Sequence, residues 1–253
     1  MENLQRNMLE VCAASLHSVS EAAAGGAARV ELCSALGEGG VTPSAGFITS
    51  ACAIARKAGL KVHVLIRPRG GDFVYDAAET ACMAEDVCVA RRCGADGVVI
   101  GALLPDGSID MDTCAALIDK AGDMSVTFHR AFDLCRTPHT ALEAIIRLGC
   151  HRLLTSGCAP SAMKGVGTLD ALNRLADGRI IIMPGAGVTP DNAASILRLS
   201  GCHEIHASAR CRVDSAMTHR HAGVSMGTPG ADEFSRMETS AGIVAAIVKE
   251  INR

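Results

Sequence analysis

The chain has no tryptophan, one tyrosine (Tyr75) and five phenylalanines among 253 residues. A stacking platform for single-stranded nucleic acid needs exposed aromatics, so that class of partner is excluded. No stretch of lysine and arginine forms a basic stripe and the formal charge is −3, which removes nucleic acid and acidic membrane surfaces as partners. Long apolar runs are missing too: each is short and broken by glycine or charge, so no membrane span is expected. The segment Met1-Glu2-Asn3-Leu4-Gln5-Arg6 has no apolar core of the kind a secretory leader needs, and a cytoplasmic location is expected. Twelve cysteines are present, none spaced C-x-x-C. In a chain this long without a leader they read as small buried hydrophobes in a reducing compartment rather than as a disulfide framework.

What is there is alternation. Short apolar runs recur at Met8–Cys12, Ala28–Cys33, Lys61–Arg67, Gly97–Gly101, Ser125–Arg130, Arg152–Ser156, Arg179–Met183 and Glu204–Ser208. Helical patterns separate them, near His17–Gly25, Pro43–Ala58, Asp76–Gly94, Asp110–Ala121, Pro138–Gly149, Ser161–Ala176 and Pro190–Leu199, and a last one is expected over Arg236–Ile251. Eight strand–helix units predict a (β/α)8 TIM barrel of the α/β class, one domain over residues 1–253; a doubly wound open sheet is the alternative. Thr42, Thr137 and Thr189 precede prolines at expected first turns, where they are candidate caps, and Gly26, Gly59, Gly94, Gly149 and Gly201 follow helices, where a left-handed residue ends them. Residues 209–235, with His219, His221 and a Gly-Thr-Pro-Gly turn, read as a long loop before the last helix.

Strand periodicity assigns an inner row. Glu10 and Cys12 face inward on the first strand, Glu31 and Cys33 on the second, Thr127 and His129 on the fifth, and Glu204, His206 and Ser208 on the eighth. Arg67 ends the third strand inside Arg67-Pro68-Arg69-Gly70-Gly71-Asp72-Phe73, a segment that combines charge with backbone freedom. Glu10, Glu31, Arg67, His129 and His206 thus converge at the C-terminal mouth, where barrel sites sit, and Asp133 follows His129 at a distance that suits an orienting carboxylate. Arg67 is expected to pair with Glu10 or Glu31, with Arg69 and Asp72 forming a rim above it. Ser156-Gly157, Gly185 with Gly187, and Ser208 lie after strands six to eight and read as an anion cradle. The plainer alternatives are a polar core that sets strand register, tight glycine turns and a charged surface turn.

The segments EVC (10–12), RVELC (29–33), EGG-x-TPS (38–44), RPRGGDF-x-Y (67–75), TFHRAFD (127–133), LTSG (154–157), GAGV (185–188) and EIHASA (204–209) together resemble the CutC family across nearly the whole chain. The resemblance implies a cytosolic barrel that assembles as a homodimer or homotetramer and a role in copper homeostasis with copper(I) binding. Copper(I) favours thiolates, and Cys12 with Cys33, in equal phase on neighbouring strands, are the pair expected to hold it. The other expectation is an enzyme for a small anionic or phosphorylated metabolite. There Glu10, Glu31, His129, Asp133 and His206 would be acid–base groups, Arg67 and Arg69 would hold charge, and Ser156, Gly157, Gly185, Gly187 and Ser208 would grip phosphate.

Overall fold

A computed structural model describes residues 6–221 and 232–253. Eight parallel strands form the barrel: β1 (Met8–Ala13), β2 (Arg29–Leu32), β3 (Lys61–Leu65), β4 (Gly97–Ile100), β5 (Ser125–Phe128), β6 (Arg152–Thr155), β7 (Ile181–Pro184) and β8 (Glu204–Ala207). The ladder runs β7-β6-β5-β4-β3-β2-β1-β8, and β7 and β8 lie side by side to complete the circuit without a ladder of their own. The helices around it are α1 (Leu16–Ala24), α2 (Ala45–Ala58), α3 (Ala77–Arg92), α4 (Met111–Ala121), α5 (Pro138–Arg147), α6 (Val166–Ala176), α7 (Ala193–Ser200) and α8 (Ala241–Ile251). The open-sheet alternative is therefore set aside.

Each strand buries two faces for different reasons. Outward residues such as Val11, Val30, Val64, Val98, Phe128 and Ile205 pack against Val19, Ile48, Met83, Leu117, Leu142 and Ile247 of the helices, and all are essentially inaccessible. This helix-facing layer is the main apolar core. The inward row is largely polar. After β4, whose Val99 points inward beside Cys33 and Leu65, the row reaches a glycine for a spatial reason: a methyl at Gly101 would stand 2.4 Å from His129 Cε1, so the missing side chain makes room for that ring.

The five glycines expected to end helices all have positive φ. Of the expected threonine caps only Thr137 takes an N-cap position, before Pro138 of α5. Ser44 caps α2 by accepting from Phe47 N–H, Thr137 makes no side-chain cap, and Asn192 rather than Thr189 precedes α7. Thr42 is taken instead by Arg67, whose N–H donates to Thr42 Oγ1 at 2.9 Å. The stretch expected as a loop over 209–235 contains half of an antiparallel hairpin, β9 (Arg210–Asp214) with β10 (Ser235–Thr239). As a result α8 begins at Ala241 rather than at Arg236. The Gly-Thr-Pro-Gly turn lies outside the described residues. No described helix is long and apolar enough to cross a membrane.

Candidate functional site

The inner rows meet in two tiers. In the lower tier Arg29 of β2 bonds Glu10 of β1 through Nε and donates through Nη2 to Glu204 Oε2 of β8 at 2.6 Å. Arg152 of β6 donates to the same Glu204 oxygen at 2.8 Å and to Ser125 Oγ of β5 at 2.8 Å. Five strands are thereby tied by one ion network. Burial by itself would raise the Glu10 pKa, but the Arg29 charge and the His206 hydrogen bond outweigh it and hold the carboxyl well below the usual range. Arg29, Arg152 and the buried His63 were not among the expected site residues. Their signal was nonetheless present, since Arg29 lies in phase with Glu31, Arg152 with Ser156, and His63 with Arg67.

The upper tier holds the thiol pair with Glu31 and His206. Glu10 Oε1 takes His206 Nδ1 at 2.8 Å, which turns His206 Nε2 toward Glu31 Oε2 at 3.5 Å. Cys12 Sγ, a Glu31 oxygen and a His206 nitrogen all lie within 4.8 Å of one another, and Cys33 Sγ lies 3.5 Å from Cys12 Sγ. Both cysteines are free thiols. The hydrogen bond with Cys33, and then burial, push the Cys12 thiol well above its ordinary pKa. Burial pushes Glu31 up to about 7 although His206 counters it. Burial also works against charge on His206, yet its bonds to Cys12 and Glu10 and the Glu31 charge raise its pKa well above the usual value.

Arg67 is placed otherwise than expected. It pairs with neither Glu10 nor Glu31. Nη1 donates to the carbonyls of Glu38 at 2.8 Å and Gly40 at 2.9 Å, and Nη2 to that of Gly71 at 2.7 Å. Glu10 already has Arg29, so the guanidinium braces the two loops after β2 and β3, with the Phe73 ring centroid 4.8 Å away. Arg69 is pinned to the rim by Asp72 at 3.1 Å and Glu79 at 2.5 Å.

Asp133 does not orient His129. Its carboxylate accepts from Thr155 Oγ1 at 2.5 Å, Ser156 Oγ at 2.9 Å, the N–H groups of Ser156 and Cys158 at 3.1 Å each, and Arg130 Nε at 2.7 Å. Thr155 in turn takes Gly157 N–H at 2.9 Å through Oγ1 and Gly185 N–H at 3.0 Å through its carbonyl. The donors of Ser156, Gly157 and Gly185 expected to cradle an anion are thus already engaged, those of Ser156 by a carboxylate of the same chain. Gly187 has φ +68° and its carbonyl accepts from Asn192, and Ser208 is half-buried at the end of β8.

The buried histidines make the barrel sensitive to acid. Burial holds both His63 and His129 down to about 3, so each stays neutral in the fold while the unfolded chain takes up a proton below its ordinary value of 6.5. Glu31 acts in the opposite sense between 4.5 and about 7, where the fold holds a proton that the unfolded chain has lost. With two protons favouring unfolding and one opposing it, stability is expected to fall as pH drops from 6 to 5. Glu31→Gln removes the opposing proton and is expected to steepen the fall. Urea midpoints across that range measure both slopes, and equal slopes would contradict the assignment.

The model of the CutC family matches residues 7–211. A CutC family protein of Chromobacterium violaceum is 52% identical, covering 97% of this chain and 98% of that one. The human copper homeostasis protein cutC homolog is 46% identical, covering 87% of this chain and 80% of that one. The crystal structure of CutC from Streptococcus agalactiae superposes with a TM-score of 0.77 at 32% identity, covering 80% of this chain and 98% of that one. The chain belongs to the CutC family.

Proposed function

We propose that this protein binds copper(I) as cargo in copper homeostasis, with Cys12 and Cys33 as ligands and His206 as the third donor. The observation that carries the reading is a pair of free thiols 3.5 Å apart, one of which, Cys12 Sγ, lies within 4.8 Å of a nitrogen of His206, whose Nδ1 is held by Glu10. A single ion with metal–thiolate bonds of about 2.3 Å bridges such a gap. Two sulfurs and one imidazole suit a soft monovalent ion better than a hard one. Glu10 plays the part of an outer carboxylate that orients a ligating histidine, leaving Nε2 for the metal. The name of the human relative supports the same role.

Both thiols and His206 must lose protons to become ligands, and Cys12 and His206 hold theirs tightly. Copper(I) affinity is therefore expected to rise with pH across the neutral range. The test is anaerobic titration of copper(I) against a competing chelator. The wild type is expected to show one tight site, and the Cys12→Ser/Cys33→Ser variant to lose it while a thermal melt shows the fold intact. An unchanged tight site in the double variant would assign copper to other thiols, such as the exposed Cys82 and Cys158.

A further inference from the structure

A second pair of thiols lies on the loops after β5 and β6. Cys135 follows the short helix Arg130–Leu134, and Cys158 stands three residues past the end of β6. Both are free, Cys158 exposed and Cys135 half-buried. One carbonyl brings them together: that of Phe132 accepts from Cys135 N–H at 3.0 Å and lies 4.0 Å from Cys158 Sγ. The Cys158 backbone is fixed as well. Its N–H donates to Asp133 Oδ1 at 3.1 Å, and its φ is +56°, a left-handed angle that costs energy for a residue with a β-carbon. The two side chains interact directly and unequally. The hydrogen bond between them holds the Cys158 thiol below its ordinary pKa, against burial and the Asp133 charge. The same bond, and then burial, push Cys135 well above its own. Cys158 is thus the readier thiolate and Cys135 its proton donor. The thiols of the upper tier differ: Cys33 is buried and the Cys12 thiol is raised.

An accessible thiolate beside a resolving thiol is the arrangement that oxidises reversibly, whereas buried thiols are inert. We propose that Cys135 and Cys158 are a peroxide-oxidisable dithiol that closes into a reversible disulfide before Cys12 and Cys33 react. The Cys158 thiolate attacks one oxygen of hydrogen peroxide. An S–O bond forms, the O–O bond breaks, and the hydroxide that leaves takes up the proton Cys158 gave up, forming water. The Cys135 sulfur then attacks the sulfenic sulfur of Cys158. The S–S bond forms, the S–O bond breaks, and the second hydroxide leaves as water with the Cys135 proton. Two thiols lose two electrons, and one peroxide is reduced to two waters. A thiol reductant reverses the bond by exchange. The link joins the end of the short helix Arg130–Leu134 to the loop after β6, on the rim from which Arg130 lines the mouth. It is independent of copper and is tested in metal-free protein.

The probe is stoichiometric hydrogen peroxide, added to the full chain with a chelator present so that trace metal does not catalyse the oxidation. Remaining thiols are alkylated and the chain is digested with trypsin without reductant. Cleavage after Arg130, Arg136, Arg152 and Lys164 leaves Cys135 as the one cysteine of residues 131–136 and Cys158 as the one cysteine of residues 153–164, so a link between them is read without ambiguity. That linked pair is expected in the wild type, with Cys12 and Cys33 still alkylated, and is expected to disappear when a dithiol reductant is added before alkylation. In Cys135→Ser the hydroxyl still donates to the thiolate but cannot resolve a sulfenic acid, so a cyclic 1,3-diketone is expected to label residues 153–164. In Cys158→Ser both the link and any label on Cys135 are expected to be lost. A wild type without the linked pair, a Cys12–Cys33 link that forms first, an unlabelled Cys158 in Cys135→Ser, or a labelled Cys135 in Cys158→Ser would each overturn the proposal.

Discussion

Replacing Arg29 with Met is expected to cost about 3–5 kcal/mol of stability at neutral pH, among the largest effects of a single substitution in this barrel. Arg29 bonds Glu10 and Glu204, and all three side chains are buried. Removing the guanidinium leaves Glu10 with only its histidine and Glu204 with only Arg152 in a medium that solvates carboxylates poorly. Methionine nearly fills the space, so the loss reflects charge more than a cavity. The deficit should narrow in acid. In the wild type both carboxyls sit below the usual range, so their contribution is present above about pH 4.5 and is lost as pH falls toward their folded values. In Arg29→Met the same carboxyls protonate readily, and the lost pairing matters less. Urea unfolding at neutral pH and near pH 4 measures the gap. A constant gap would point to packing, and no gap would mean that the network does not hold the strands.

Arg67→Ala is expected to cost about as much, roughly 3–5 kcal/mol, for a different reason. No carboxylate is orphaned. Three backbone carbonyls, of Glu38, Gly40 and Gly71, lose a charged donor, and the loops after β2 and β3 lose their common brace. Lysine does not restore it, because one ammonium lacks the planar fork that reaches both loops at once. Hydrogen exchange is expected to speed up at Val41, whose N–H bonds Ser34, and at Thr42, whose N–H bonds the Arg67 carbonyl, with the far side of the barrel unaffected. Double-mutant cycles of Arg67 with Glu10 and with Glu31 should show coupling no larger than about 0.5 kcal/mol. Coupling well above that would restore the direct ion pair that the sequence predicts.

The barrel and the convergence of Glu10, Cys12, Glu31, Cys33, His129 and His206 were legible because a strand alternates strictly. Once the apolar residues of each run face the helices, the phase of the others follows. Cys12 and Cys33 meet because both lie on that row of neighbouring strands. Partner choice was not legible. Arg67 was expected to seek a carboxylate, yet backbone carbonyls of folded loops claim it, and no side-chain pattern announces a carbonyl. Asp133 stands near His129 in sequence, but the short helix Arg130–Leu134 turns it toward the loop after β6. The hairpin was hidden for a related reason: Arg210–Asp214 and Ser235–Thr239 are short and rich in charge, and they find their ladder only in each other across a long gap.

The central claim is that one ion sits between two specific thiols under a histidine. X-ray absorption at the copper edge, on protein loaded with one equivalent of copper(I), tests it most directly. Two sulfur neighbours and one imidazole nitrogen are expected. In Cys12→Ser/Cys33→Ser loaded to the same ratio the two-sulfur shell should be gone, and in His206→Ala the imidazole scattering should vanish while both sulfurs remain. A sulfur shell that survives the double substitution, or a shell of oxygens in the wild type, would contradict the account.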